Sequence, residues 1–326
     1  MTSYIIRRLL LMIPTLLLAS LIVFFIIRFI PGDIIDIMAA ESPSFTPVDR
    51  DAIEQSLGLD QPIIIQYGRW IGFIPQADGS FSGILQGDLG TSLWIRTPVV
   101  QEILIRWPTT FQLGIMSLII AQLIALPIGI YSAVRQDTWG DYVTRSFAIL
   151  CIAIPSFWLA TVIIIFSSIW WGYSPPLLFV SFADNPIDSL KMFILPALIM
   201  GSHLAGITMR MMRTMLLEVL RQDYIRTAWA KGLRESMVVM RHAMKNALIP
   251  VITTVGVQLQ VLVGGTVIIE AIFGLPGIGR LLIDATGTRD YPVVSGVMIV
   301  FGAVMVLINL MVDLTYGFLD PRIRYK

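Results

Sequence analysis

The chain has 326 residues, of which 56% are hydrophobic and only 14% charged, with a formal net charge of +1. Soluble domains carry about 25% charged residues, so the composition excludes a soluble globular protein and places the chain in a membrane. A balance near zero excludes a strongly basic nucleic-acid binder, and a single cysteine, Cys151, excludes an intrachain disulfide framework, a four-cysteine metal site and an iron–sulfur cluster.

A helix crossing the hydrocarbon core needs about 20 mostly apolar residues. Six charge-free runs of this kind occur along the chain: Leu9–Ile27, Trp107–Val134, Ser146–Ala183, Met192–Met209, Asn246–Ile269 and Tyr291–Val312. They predict an all-α integral membrane protein with six transmembrane helices. A cleaved signal peptide is the competing reading of the first run, because Arg7-Arg8 precede it. A cleavable core spans about 7–15 residues, whereas this one continues for 19 residues into Arg28-Phe29-Ile30-Pro31-Gly32-Asp33, so an uncleaved anchor is expected. The third run is longer than one crossing. Its cluster Trp170-Trp171-Gly172-Tyr173-Ser174-Pro175-Pro176 has the character of an interfacial exit, which predicts one helix followed by an external loop.

Basic residues in short loops mark the cytoplasmic side. With the N-terminus inside, the inner segments hold fifteen lysines and arginines, eight of them between Arg210 and Lys245, and the outer loops hold seven. Six crossings then leave both termini in the cytoplasm. The expected organisation is a first transmembrane helix over 1–30, an extracytoplasmic segment over 31–106, a core over 107–316 with helices 2–6 and a cytoplasmic loop at 213–245, and a tail over 317–326. The 31–106 segment carries ten acidic and four basic residues. It is too apolar to be disordered and is expected to form a small cap between helices 1 and 2.

In the basic loop, Ile225, Ala228, Trp229, Gly232 and Leu233 fall at i, i+3, i+4, i+7 and i+8, the spacing of one helical face. A short amphipathic helix is predicted. Periodicity alone fits a surface helix that dips its apolar side into the headgroups.

The stretch Tyr224-Ile225-Arg226-Thr227-Ala228-Trp229-Ala230-Lys231-Gly232, followed by Arg241 to Pro250, resembles the cytoplasmic coupling loop of permease subunits in ATP-binding-cassette importers, of the dipeptide, oligopeptide and nickel branch. The start resembles the first permease of that branch's pair: Tyr4 to Leu10, Pro14-Thr15 and Arg28 to Asp33. So do Leu57 to Pro62, Gln66-Tyr67, Gly87 to Ser92, Ile154-Pro155-Ser156-Phe157-Trp158, Phe273 to Arg280, Arg289 to Val294 and Asp320 to Arg324. Their order covers nearly the whole chain. Two departures from the wider importer pattern, Arg226-Thr227-Ala228 in place of Glu-Ala-Ala and Ile249-Pro250 in place of Leu-Pro, are usual in the peptide branch.

The resemblance implies a type I importer fold in a bacterial or archaeal cytoplasmic membrane. It implies a permease subunit that forms half of the translocation pathway beside a second homologous permease subunit. One or two ATP-binding-cassette ATPase subunits would hold ATP and Mg, and an extracytoplasmic solute-binding protein would deliver dipeptides or oligopeptides. Nickel chelates, glutathione or oligosaccharides are alternative cargoes, and an ion-coupled secondary carrier is the remoter alternative. Asp223, Tyr224, Arg226, Thr227, Ala228, Ala230, Lys231 and Gly232 would couple to the ATPase, with Thr227-Ala228 and Ala230-Lys231 in its groove and Gly232 ending the helix in a left-handed conformation. The sequence agrees that the motor lies elsewhere: none of the four lysines follows a glycine, so no phosphate-cradling P-loop exists, and no cofactor is expected on this chain. Membrane lipid is the remaining partner, and no nucleic acid is expected.

Few polar groups interrupt the spans: Gln112, Gln122, Ser202-His203, Gln258, Gln260 and Asn309. Ionisable residues inside membranes mark ion pathways, yet Glu270 and Asp313 lie only at span ends, which disfavours a proton- or sodium-driven carrier. No aspartate pair or H-E-x-x-H set of an intramembrane protease occurs within a span. Gln258, Gln260, Gly264 and Gly265 are candidates for the conduit, with tight helix packing as the alternative for the glycines. Phe273, Pro276, Gly277 and Gly279 lie in a tight external turn, which by resemblance is a gate or receptor-docking surface and otherwise a plain connection. A lone His203 is expected to hydrogen-bond between helices rather than hold a metal, and the sixteen methionines to serve packing.

Overall fold

The computed structural model describes residues 2–29, 54, 60–176 and 178–319. The first-span exit Pro31-Gly32-Asp33, the Leu57-Gly58-Leu59 tag and the Asp320–Arg324 tail motif lie outside the described residues. The helices in chain order are α1 (Thr2–Phe29), α2 (Ile63–Ile71), α3 (Val99–Val134), α4 (Trp139–Ala153), α5 (Ser156–Trp171), α6 (Pro186–Leu220), α7 (Asp223–Ala230), α8 (Glu235–Phe273), α9 (Ile278–Gly287) and α10 (Tyr291–Leu319). A 3-10 turn lies at Ile84–Gln86, and Val238–Ala243 within α8 is wound as a π-helix.

Among the described residues, five helices are long and apolar enough to cross a membrane, and a sixth crossing exists if α4 and α5 are counted as one span, bent by 94°. The third run is therefore not the single helix expected from it. Proline lacks the N–H that would continue the ladder and drives the preceding residue out of the α region. Ile154 sits at φ −86°, ψ 120°, and Pro155 starts a new helix. The first half also begins earlier than the charge-free run, at Trp139, where the Thr138 hydroxyl accepts from Asp141 N–H. The exit occurs as expected at Gly172, which closes α5 at φ +62°. A further helix, α9, occupies what reads in sequence as loop between the fifth and sixth runs.

The chain forms two compact units. One comprises Ile6–Trp107 and Leu281–Val306. Phe24 of α1 is buried against Tyr67 and Trp70 of α2, with ring centroids 5.2 and 5.5 Å away, and Ser20 Oγ lies 2.9 Å from the Tyr67 hydroxyl. Such aromatic contacts add about 0.5–1.5 kcal/mol beyond area burial. In the same unit Asp290, buried, accepts from Ser92 Oγ at 2.5 Å and Leu93 N–H at 3.3 Å. Trp94 Nε1 donates to Thr288 O at 3.0 Å, so the 92–94 strip is fastened to the α9–α10 turn.

The other unit comprises Met1–Ile5, Pro108–Arg280 and Leu307–Lys326. α6 is its centre, with buried residues running from Ser189 to Leu216. A Cβ added at Gly201 would lie 2.7 Å from Ser117 O of α3, and one at Gly206 would lie 2.8 Å from Ala148 O of α4. Helices in lipid associate through small residues that let backbones approach, and this seam continues through Ala121, Ala125, Ala148 and Ala205. Towards the other end, Leu113, Phe193, Ile269 and Phe273 form a second cluster.

Candidate functional site

The predicted amphipathic helix is α7, eight residues between α6 and α8. Ile225 and Ala228 are buried against Met212 and Leu216 of α6, Ala133 of α3, and Val238, Val239, Ala243 and Ala247 of α8. Burying the isoleucine contributes about 2 kcal/mol. Tyr224 is pinned at its hydroxyl, which accepts from Asn246 Nδ2 at 2.8 Å. Lys231 N–H donates to Thr227 O and Gly232 N–H to Trp229 O, and Gly232 takes φ +74° as the sequence predicts. Asp223, Arg226, Thr227, Ala230, Lys231 and Gly232 are exposed. Ala228 is not available for docking, because i and i+3 share a face and Ile225 turns that face inward. Trp229 stays half exposed, at 45%.

The candidate conduit residues separate. Gln258 is buried, its Nε2 donating to Leu204 O and Thr208 Oγ1, both at 2.9 Å, while its Oε1 accepts from Gln122 at 3.2 Å. It therefore ties α3, α6 and α8 together, and its polar atoms face neighbouring helices. Gln260 turns to α10 and donates to Asn309 Oδ1 at 2.5 Å. Gly264 is exposed with open space around it, whereas Gly265 lies close to Met200. The expected interhelical hydrogen bond of His203 is not formed at Nδ1, which is buried without a partner.

The external turn is built on a residue that the sequence placed merely at a span end. Glu270 is fully buried, and its Oε2 accepts from Gly279 N–H at 2.8 Å and Arg280 N–H at 3.2 Å, the first turn of α9. A carboxylate there satisfies orphan amides and complements the helix dipole. A Cβ on Gly277 would sit 2.2 Å from that same oxygen, and Ile278 N–H donates to Thr110 Oγ1 at 2.9 Å. Phe273, Gly277 and Gly279 are buried and Pro276 partly so.

A second unforeseen feature joins α4 to α6. Asp141, fully buried, accepts from Arg213 Nε at 2.9 Å and Nη2 at 2.8 Å, from Ser132 Oγ at 2.5 Å and from Asp137 N–H at 3.0 Å. Such forked pairs combine charge with geometric specificity.

Residues 125–325 match the binding-protein-dependent transport system inner membrane component family, and residues 1–114 match the N-terminal membrane component of the same systems. The chain belongs to this family. The permease is similar over its full length to glutathione transport system permease proteins of Pectobacterium atrosepticum and Salmonella typhi, each 38% identical over 326 residues with 100% of both chains covered. It is also 39% identical over 325 residues, again covering 100% of both chains, to a candidate peptide transport system permease protein of Brucella abortus. A solved inward-facing structure of the MetNI methionine ABC transporter shares the fold, with a TM-score of 0.53 at 19% identity, covering 67% of the permease and 96% of that chain. The permease is thus a multi-pass inner-membrane component with the type I importer fold, and works with partner subunits.

Proposed function

We propose that the permease forms half of the translocation pathway of an ATP-driven importer of peptides, delivered by an extracytoplasmic solute-binding protein. The observation that carries this reading is α7: a short helix seated on α6 and α8 by Ile225 and Ala228, with Arg226, Thr227, Ala230 and Lys231 turned outward. A lever of this kind can hand the movement of an ATPase to two long helices at once. ATP and Mg would sit on one or two partner ATPase subunits, and a second homologous permease would complete the path. Both termini would be cytoplasmic, on the side where the basic residues between Arg210 and Lys245 gather. The names of relatives favour peptides, and glutathione, itself a tripeptide, falls within that class. Gln260 and Gly264 remain the residues proposed for the conduit; Gln258 is better read as the knot that holds three helices.

The test is Gly232→Val in the complete transporter reconstituted in vesicles. A β-branched residue is disfavoured at φ +74°, so the turn after α7 is displaced. Peptide uptake should fall about tenfold or more while ATP hydrolysis persists; unchanged uptake would refute the coupling role.

A further inference from the structure

Between α3, α4 and α6 lies a cleft of about 420 Å3 whose wall includes Ile128, Arg145, Ile149, Met209, Arg210 and Arg213. Its cations are not equivalent. Arg213 is neutralised by Asp141, whereas among the described residues neither Arg145 nor Arg210 lies within 4.0 Å of a carboxylate in an ion pair. The hydroxyls beside them are committed as donors, Thr144 to Gly140 O at 2.9 Å and Thr214 to Arg210 O at 2.9 Å. The cleft thus presents two guanidinium groups for an anion.

Its surroundings specify what kind of anion. Trp139 and Tyr142, 83% and 51% exposed, open α4 beside the cleft, and aromatic residues of this sort settle at headgroup depth. From there Val143, Phe147, Ile149 and Leu150 continue as an exposed apolar face along the same helix. A soluble anion would use the charges and leave that face idle. An amphiphile uses both.

We propose that this cleft binds the phosphate of an anionic phospholipid of the leaflet on the α7 side, with the guanidinium groups of Arg145 and Arg210 on the phosphate oxygens and the acyl chains along the outer face of α4. Arginine suits phosphate because its planar fork donates in pairs, and basic pockets between membrane helices are recognised sites for such headgroups.

The full-length permease, incorporated in nanodiscs of phosphatidylcholine doped with phosphatidylglycerol, tests this by native mass spectrometry of the lipid retained after extraction. Arg145→Gln/Arg210→Gln should retain phosphatidylglycerol about tenfold less than the unaltered protein, each lost cation weakening attraction as basic residues near a membrane surface do. Ile149→Trp, which keeps both charges and fills the mouth of the cleft, should also lower retention several-fold, and it decides the matter if the double arginine variant does not fold. Phosphatidylcholine retention should not change, and millimolar inorganic phosphate should not displace the bound lipid. Equal retention by the variants would overturn the proposal. So would an equal loss in Arg234→Gln/Arg241→Gln, which would reveal diffuse surface charge, or displacement by inorganic phosphate, which would reveal a site for soluble anions.

Discussion

Arg213 of α6 grips Asp141 of α4 with two parallel hydrogen bonds, 2.9 and 2.8 Å long, across 72 residues of sequence. The carboxylate is fully buried and the guanidinium group mostly so. Removing one partner of such a pair strands the other, at a cost of about 3–5 kcal/mol, whereas replacing both with apolar residues is often neutral. Asp141→Ala should therefore lower the Tm of the purified permease by roughly 10 °C, while Asp141→Leu/Arg213→Met should recover the part due to the stranded guanidinium, the Ser132 hydroxyl and Asp137 N–H still lacking their acceptor. A double variant as unstable as the single one would show that the pair does more than neutralise itself.

Gly277→Ala should destabilise the permease, because the new methyl group meets the buried Glu270 carboxylate at 2.2 Å and can be relieved only by pulling it off the Gly279 and Arg280 amides. Overpacking of this kind costs about 1–3 kcal/mol, readable as a lower Tm. Glu270→Ala alone strips the amides of Gly279 and Arg280 of their acceptor. Combined with Gly277→Ala it also removes the clash, so the two losses should sum to less than their separate values.

Two glycines should respond differently to the same test. Gly201→Ala drives a methyl group to 2.7 Å from Ser117 O and must part α3 from α6, whereas Gly264→Ala projects into open space. Circular-dichroism melting should give a clearly lower Tm for the first and a change within about 1 °C for the second, since surface substitutions usually fall within about 0.5 kcal/mol.

Asp290→Ala should free the 92–94 strip, because the Ser92 hydroxyl and the Leu93 amide lose their shared acceptor. Leaving buried donors unpaired costs about 1–3 kcal/mol. Limited proteolysis at Arg96 should accelerate, whereas cleavage elsewhere should keep its rate.

Much of the fold follows from where charges are missing, since a lipid-facing helix leaves a long uncharged run. The same criterion hid the start of α4: Asp141 and Arg145 interrupt the apolar pattern, although Thr138 caps a helix that includes both. The 94° break follows from the local rule that proline ends a helix, applied at Ile154-Pro155. On α7 the periodicity grouped Ile225 and Ala228 on one face but turned that face to the headgroups, whereas it packs on α3, α6 and α8. Trp229 of the same stripe stays half exposed, whereas Leu233, past the end of the helix, packs against the cluster. Gln258 illustrates what no sequence pattern resolves. A lone glutamine in an apolar run serves equally well beside a water-filled path or as a link between helices, and only the positions of Leu204 O, Thr208 and Gln122 decide. Asp141 with Arg213, and Glu270 with the α9 amides, were invisible for the same reason: each needs two segments brought together in space.

The π-wound stretch at Val238–Ala243 gives α8 some slack in its length. Wider winding of this kind holds about one residue more than α winding would over the same rise. Deleting Met240 lets the stretch tighten to an ordinary α-helix while the membrane portion keeps its facing, whereas deleting a residue further along α8 rotates everything beyond it by about 100°. The joint between α7 and the bilayer can therefore absorb a change of one residue that the rest of the helix would pass on as a twist.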